Sequence, residues 1–242
     1  MADEKKMPFT AHLEELRQRL ILICIAIAIG FGLSYTISDK IILFLQRPMQ
    51  DQKLIFLAPT EAFFVNLKAA FFAGLFFTAP FTFLQLWLFV APGLLEHEKR
   101  FALPFLLCSS VAFLIGATFG YFLILPLGLQ FLLSQGQGIW EPSITLSNYI
   151  SFASKLLIAF GMVFEIPLVV LLLSKFGLIT PAFLSKNRKY ILLLCFVFGA
   201  ILTPPDVVTQ ALLALPMYLL FELSVFISKV VYRQRAASEA RG

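Results

Sequence analysis

Glu165 is the one acid in the apolar run from Ile158 to Leu173. If that run crosses a bilayer, the carboxyl lies near the midplane, where a charge costs about 3 kcal/mol on insertion scales. Such a group calls for a protein-lined or wet cavity. The plainer alternative is a protonated carboxyl packed between helices and hydrogen-bonded to a neighbour. Pro167, two residues on, removes a backbone donor and bends the helix. The chain around Glu165 is therefore expected to fold into a concave interior.

A second constellation is four acids, Glu14, Glu15, Glu96 and Glu98, set in stretches that are otherwise basic. Two lie near the start of the chain and two in the turn after the second apolar run. Carboxylates from separate segments suit the grip of a basic peptide. The local alternative is pairing along one helix, such as Glu15 with Arg19 at i,i+4. Gln85 and Glu165 each lie about ten residues from the same end of their runs, so both are expected at similar depth and able to face each other.

Enzyme chemistry fails on inventory. The chain has 2 histidines, His12 and His97. His97-Glu98 begins like H-E-x-x-H, but position 101 is Phe, so no zinc site forms. There is no G-x-S-x-G and no Walker loop. A proton-coupled small-molecule transporter using Glu165 and a membrane receptor for peptide segments both remain open. Against the transporter, no internal repeat is visible.

The elements that must position these residues are membrane helices. The 242 residues are 60% hydrophobic and 14% charged, with a mean hydropathy of +0.89, outside the range of an ordinary soluble domain. One integral membrane domain over 1–242 is expected. The net charge of +5 reads as topology and not as a nucleic-acid signal. No removable signal peptide is expected at the start. Cys24, Cys108 and Cys195 fall in apolar runs and read as small buried hydrophobes.

Residues 1–19 are expected to hold a cytoplasmic amphipathic helix, capped by Thr10, with Leu13, Leu16 and Leu20 on one side and His12, Glu15 and Arg19 on the other. Spans follow at about 20–37, 63–90, 101–125, 150–173, 190–203 and 208–227. Pro48 breaks a short far-side stretch, and Pro80 kinks the long second span. The fifth and sixth spans, the latter broken by Pro216, are expected to be short and to sit in thinned bilayer. Residues 232–242 read as a polar tail. Lys and Arg crowd the side holding both termini: Lys5, Lys6, Arg17, Arg19, Lys99, Arg100, the 175–189 loop and the last turns. The other side has Lys40, Arg47 and Lys53. Both termini are expected in the cytoplasm.

Over nearly the whole chain these residues resemble TatC, the multi-spanning receptor subunit of the twin-arginine protein translocase. His12-Leu13-Glu14-Glu15-Leu16-Arg17-Gln18-Arg19-Leu20 is similar to the family's H-L-x-E-L-R-x-R-L. Ala79 to Arg100 matches its second span and first cytoplasmic loop. Ala159-Phe160-Gly161 through Phe164-Glu165-Ile166-Pro167 matches A-F-G-x-x-F-E-x-P, and Thr203-Pro204-Pro205-Asp206 matches T-P-P-D. Many relatives are apolar at position 14, so Glu15 takes the motif role.

The resemblance implies an all-α, glove-like bundle of six transmembrane helices in a prokaryotic inner membrane. It implies a receptor for the twin-arginine signal peptides of folded cargo, driven by proton-motive force without a cofactor or metal. Signal-peptide binding is implied at Glu15, Glu98, Phe89 and Arg17, and an intramembrane polar groove at Glu165 and Gln85. TatA-type and TatB-type single helices are implied to dock at Thr203 and Gln210. Pro48, Pro80 and Asp206 are implied to be structural positions. Copies of the chain are expected to assemble in a receptor complex, with the lipid bilayer and no nucleic acid as further partner.

Overall fold

The computed structural model describes residues 9–49, 54–90, 102–134, 143–202 and 206–239, with the backbone alone for Phe9, Ala11, Val90, Ala102 and 234–239. Apolar runs with no water around them must satisfy every backbone donor internally, and helices do so. The described chain is accordingly helical: α1 (Phe9–Tyr35), α2 (Ser38–Gln46), α3 (Pro59–Val90), α4 (Ala102–Phe119), α5 (Leu125–Ser134), α6 (Leu146–Phe164), α7 (Ile166–Lys175), α8 (Pro181–Lys186), α9 (Arg188–Leu202) and α10 (Val207–Glu239). Among the described residues, five stretches are long and apolar enough to cross a membrane: His12–Tyr35, Pro59–Phe89, Leu103–Ser134, Leu146–Lys175 and Val207–Arg233.

Four expectations change. Of the three cysteines read as buried, Cys24 and Cys108 are exposed and Cys195 is buried. The opening amphipathic segment is not a separate element: Thr10 to Leu20 are the first turns of α1, which runs unbroken to Tyr35. No Pro or Gly interrupts residues 10–29, so nothing stops the helix there. The sixth span is not short, because α10 has 33 residues and passes through Pro216. Its sequence neighbours Leu213, Ala214 and Met217 are buried, and a missing hydrogen bond is tolerated in such surroundings. The expected polar tail is helical as far as Glu239. Its Arg, Gln and Ala residues are strong helix formers, so α10 propagates beyond its apolar part. The fifth span is short as expected: the 15 residues of α9 reach about 22 Å, against a hydrocarbon core of about 30 Å.

α4 and α5 form one long rod joined by a π-turn at Gly120–Ile124, where the Leu125 N–H reaches the Gly120 carbonyl. Pro126 follows at once. Widening the turn accommodates a ring that cannot donate. The same turn aims Tyr121 inward, where its hydroxyl donates to the Phe44 carbonyl at 2.6 Å. The Tyr149 hydroxyl donates to the Leu45 carbonyl. Two tyrosines thus donate to carbonyls in the last turn of α2, where the Phe44 carbonyl also accepts from the Arg47 N–H. Pro48 lies in the short turn Arg47–Met49 that follows, and Met49 is buried beside Leu45 in the largest core cluster. That cluster gathers Ile42 of α2 with Val65, Leu125, Ile150, Phe160 and Leu213.

The helix crossings are made by absent side chains. A Cβ on Gly74 would lie 2.6 Å from the Phe31 nitrogen, and one on Gly30 would lie 2.7 Å from Thr78 Cγ2. α1 and α3 therefore touch backbone to backbone, as small residues allow in membranes. A Cβ on Gly116 would lie 2.5 Å from the Phe160 carbonyl oxygen, which fixes α4 on α6 in the same way. α7, α8 and α10 share a second core of Val170, Leu184, Phe221 and Val225. Beside it the Ser174 hydroxyl bonds the Ser228 hydroxyl at 2.8 Å.

Candidate functional site

The crossing at Gly30 and Gly74 sets α1 antiparallel to α3, so the start of α1 meets the end of α3. His12, Glu15 and Arg19 follow one another at i,i+3 and i,i+4 and share one face of α1. Gln85 and Phe89 are spaced i,i+4 and share one face of α3. The two faces meet. Arg19 Nη1 donates to Gln85 Oε1 at 3.1 Å, and Nη2 donates to Glu15 Oε1 at 3.2 Å. The His12 ring stacks on Phe89 with centroids 4.4 Å apart and 13° between planes.

This geometry leaves the Glu15 carboxylate half used. Its side chain is 18% exposed, and Oε2 is buried without a hydrogen-bond partner among the described residues. His12 Nδ1 stands 3.9 Å from that oxygen, too far to bond it. A desolvated carboxylate oxygen with no donor is a strong acceptor site. The local pairing with Arg19 that the sequence offered for Glu15 does form, and Arg19 is shared with α3 as well. Arg17 points elsewhere: it contacts Glu14 at 3.5 Å on the exposed face of α1. Glu98, the other acid expected here, lies outside the described residues.

Glu165 sits at the break between α6 and α7, two residues before Pro167. It is 7% exposed, and its Oε1 has no hydrogen-bond partner among the described residues. The polar side chain acting on it is Ser109 of α4, whose own hydroxyl stays outside hydrogen-bonding geometry. Gln85 is buried too, but its amide oxygen is taken by Arg19. Two buried polar groups therefore stand in the interior without bonding each other. Pro80 lies inside α3 without ending it.

At the other end of α10, Asp206 caps the helix: Oδ1 accepts from the Thr209 N–H at 2.7 Å, and Oδ2 from the Thr209 hydroxyl. Gln210 Nε2 donates to the Phe196 carbonyl at 2.7 Å, bracing α10 against α9. Thr203 lies outside the described residues.

One cluster was missed in the sequence. Arg188 Nη2 donates to Glu222 Oε2 at 2.9 Å, Arg188 Nε lies 2.8 Å from Oε1, and the Tyr218 hydroxyl donates to Oε1 at 3.0 Å. Glu222 interrupts the apolar sixth run just as Glu165 interrupts the fourth, and that signal would have found it. A third polar group ties α3 to α6: Glu61 accepts from the Ser147 N–H at 3.0 Å, while Lys68 donates to the Ser147 hydroxyl at 2.7 Å.

Residues 11–216 match the family model described as Sec-independent protein translocase protein (TatC). The chain is 43% identical over 242 residues to the Sec-independent protein translocase protein TatC of Magnetococcus marinus, covering 98% of this chain and 89% of that one. It is 43% identical to the protein of the same description in Aquifex aeolicus, covering 95% and 98%, and 38% identical to that of Escherichia coli, covering 95% and 91%. A crystal structure described as the twin arginine translocase receptor TatC superposes with a TM-score of 0.85 at 42% identity, over 91% of this chain and 99% of that one.

Proposed function

The chain belongs to the TatC family of Sec-independent protein translocase proteins, and from that premise we propose that the mouth between α1 and α3 docks the twin-arginine signal peptides of folded cargo. The chain is a multi-pass membrane protein of a translocase and not an enzyme. Membership of that family sets aside a small-molecule carrier built on Glu165.

The observation that carries the reading is the half-used carboxylate of Glu15 beside the His12–Phe89 stack. A guanidinium presents two parallel N–H donors to a carboxylate, and an ammonium cannot copy that fork. An incoming arginine takes both oxygens of Glu15. Arg19 gives up Oε1 and keeps Gln85 as its acceptor. Arginine side chains adjacent in an extended peptide point in different directions, so a second acid is needed, and Glu98, which follows α3 in the sequence, takes that part. Arg17 and Glu14 lie on the outward face along the approach.

The Lys and Arg imbalance supports a mouth in the cytoplasm with both termini on that side. Six crossings follow if α9 spans locally thinned bilayer. The apolar part of the peptide then enters beside the polar interior holding Gln85 and Glu165. The α9–α10 hairpin near Thr203 and Gln210 receives a single-span TatA-type or TatB-type helix through one interhelical hydrogen bond, worth about 1 kcal/mol. Retention of the solubilised full chain on an immobilised Arg-Arg signal peptide tests the reading. Preference over a Lys-Lys version is expected, and equal retention on both would refute it.

A further inference from the structure

The far end of the bundle, away from the mouth, holds a cavity of about 300 Å³ between α2, α3 and α6. We propose that it is a binding site for an anionic glycerophospholipid, with an acyl chain in the cavity and the phosphate at α2. The wall of α3 is kept low by Ala69 and Ala73 and is otherwise aromatic, with Phe72 and Phe76 facing Ile41 and Phe44 of α2. That lining suits a hydrocarbon chain, and the volume falls at the lower end of small-molecule sites.

Two polar features select the occupant. Ser154 of α6 lines the cavity and is 5% exposed, and its hydroxyl has no hydrogen-bond partner among the described residues. A buried donor left unmade is costly, and a ligand acceptor within the cavity relieves it. A glycerophospholipid carries ester carbonyls between its tails and its phosphate. At the rim, Lys40 lines the cavity and makes no ion pair among the described residues. Lys40, Phe44 and Arg47 follow at i,i+4 and i,i+7, one stripe of α2, and Arg47 lies over the Phe44 ring at 5.7 Å. Asp39 is the neighbouring acid on α2 and falls one position off that stripe. Lys40 on the lining of an apolar slot, with Arg47 two turns along the same stripe, favours a phosphate over a zwitterionic headgroup. An apolar or basic peptide segment, the other occupant of suitable shape, gives those cations no anionic group.

The purified full chain in phosphatidylcholine nanodiscs, with a trace of phosphatidylglycerol or phosphatidylcholine bearing a photoactivatable acyl chain, tests the site. Crosslinks mapped by mass spectrometry are expected on 40–45, 69–77 and 154–158. The phosphatidylglycerol probe should label about 5-fold more than the phosphatidylcholine probe. Lys40→Gln, at an exposed position, should remove that preference, and Ala73→Phe should fill the cavity and remove the label on 154–158. Equal labelling by both headgroups, or a preference that survives in Lys40→Gln, would overturn the proposal. Complete displacement of the label by an Arg-Arg signal peptide would make the cavity a peptide site and overturn it equally.

Discussion

Arg19→Gln should tighten signal-peptide binding. In the resting mouth Arg19 occupies one oxygen of Glu15 through a single hydrogen bond of 3.2 Å, with side chains 27% and 18% exposed. A pair so placed is worth about 1 kcal/mol, between a fully exposed i,i+4 pair and a desolvated bidentate one. A peptide arginine must displace it, and 1 kcal/mol corresponds to about 5-fold in affinity. Glutamine keeps a polar group near Gln85 and removes the competing cation. The Kd of a fluorescent Arg-Arg peptide for the reconstituted chain, read by anisotropy, should fall about 5-fold. In Arg19→Gln/Glu15→Gln the gain should vanish, because the contested carboxylate is gone. A Kd that rises in Arg19→Gln would refute the reasoning and make Arg19 the residue that orients Glu15.

Gly74→Ala should loosen the α1–α3 crossing by about 1–3 kcal/mol despite better helix propensity, since the new Cβ lies 2.6 Å from the Phe31 nitrogen; Gly32→Ala, with nothing within 4 Å, should leave the melting temperature in detergent unchanged or raised. Glu222→Ala should lower that temperature by removing a partly exposed pair worth about 1 kcal/mol, and Arg188→Met/Glu222→Leu should recover most of the loss. Glu165→Ala should insert and fold yet impair export of a reporter cargo in cells. Glu165→Gln should retain more activity if the neutral form is the working one, and full activity in both would reduce Glu165 to packing.

The long apolar runs, the break at Glu165-Ile166-Pro167 and the short fifth helix were legible because each depends on local residues alone. Single-residue periodicity also placed His12, Glu15 and Arg19 on one face of α1. What the sequence hid was partner choice. Arg19 meets Gln85 across 66 residues, and the contact is set by how deeply Gly30 and Gly74 let two helices approach. Gln85 and Glu165 were matched by depth, but depth along a helix says nothing about rotation, and Gln85 is turned toward α1. Glu222 escaped notice inside an apolar run because its counterion, Arg188, belongs to a different helix 34 residues away. The length of α10 was misjudged because hydropathy marks where a lipid-facing span ends, whereas helix propensity decides where the helix ends.

The central claim is that Glu15 and Glu98 read the arginine pair as a pair of forks. The direct measurement is the affinity of matched Arg-Arg and Lys-Lys signal peptides for the reconstituted full chain and for its Glu15→Ala, Glu98→Ala and double variants. Each single variant should weaken the Arg-Arg peptide far more than the Lys-Lys peptide, because only the guanidinium loses bidentate bonds. The double variant should bind both peptides alike. An Arg-Arg affinity unchanged in the double variant would contradict the account and leave Glu15 as the local partner of Arg19.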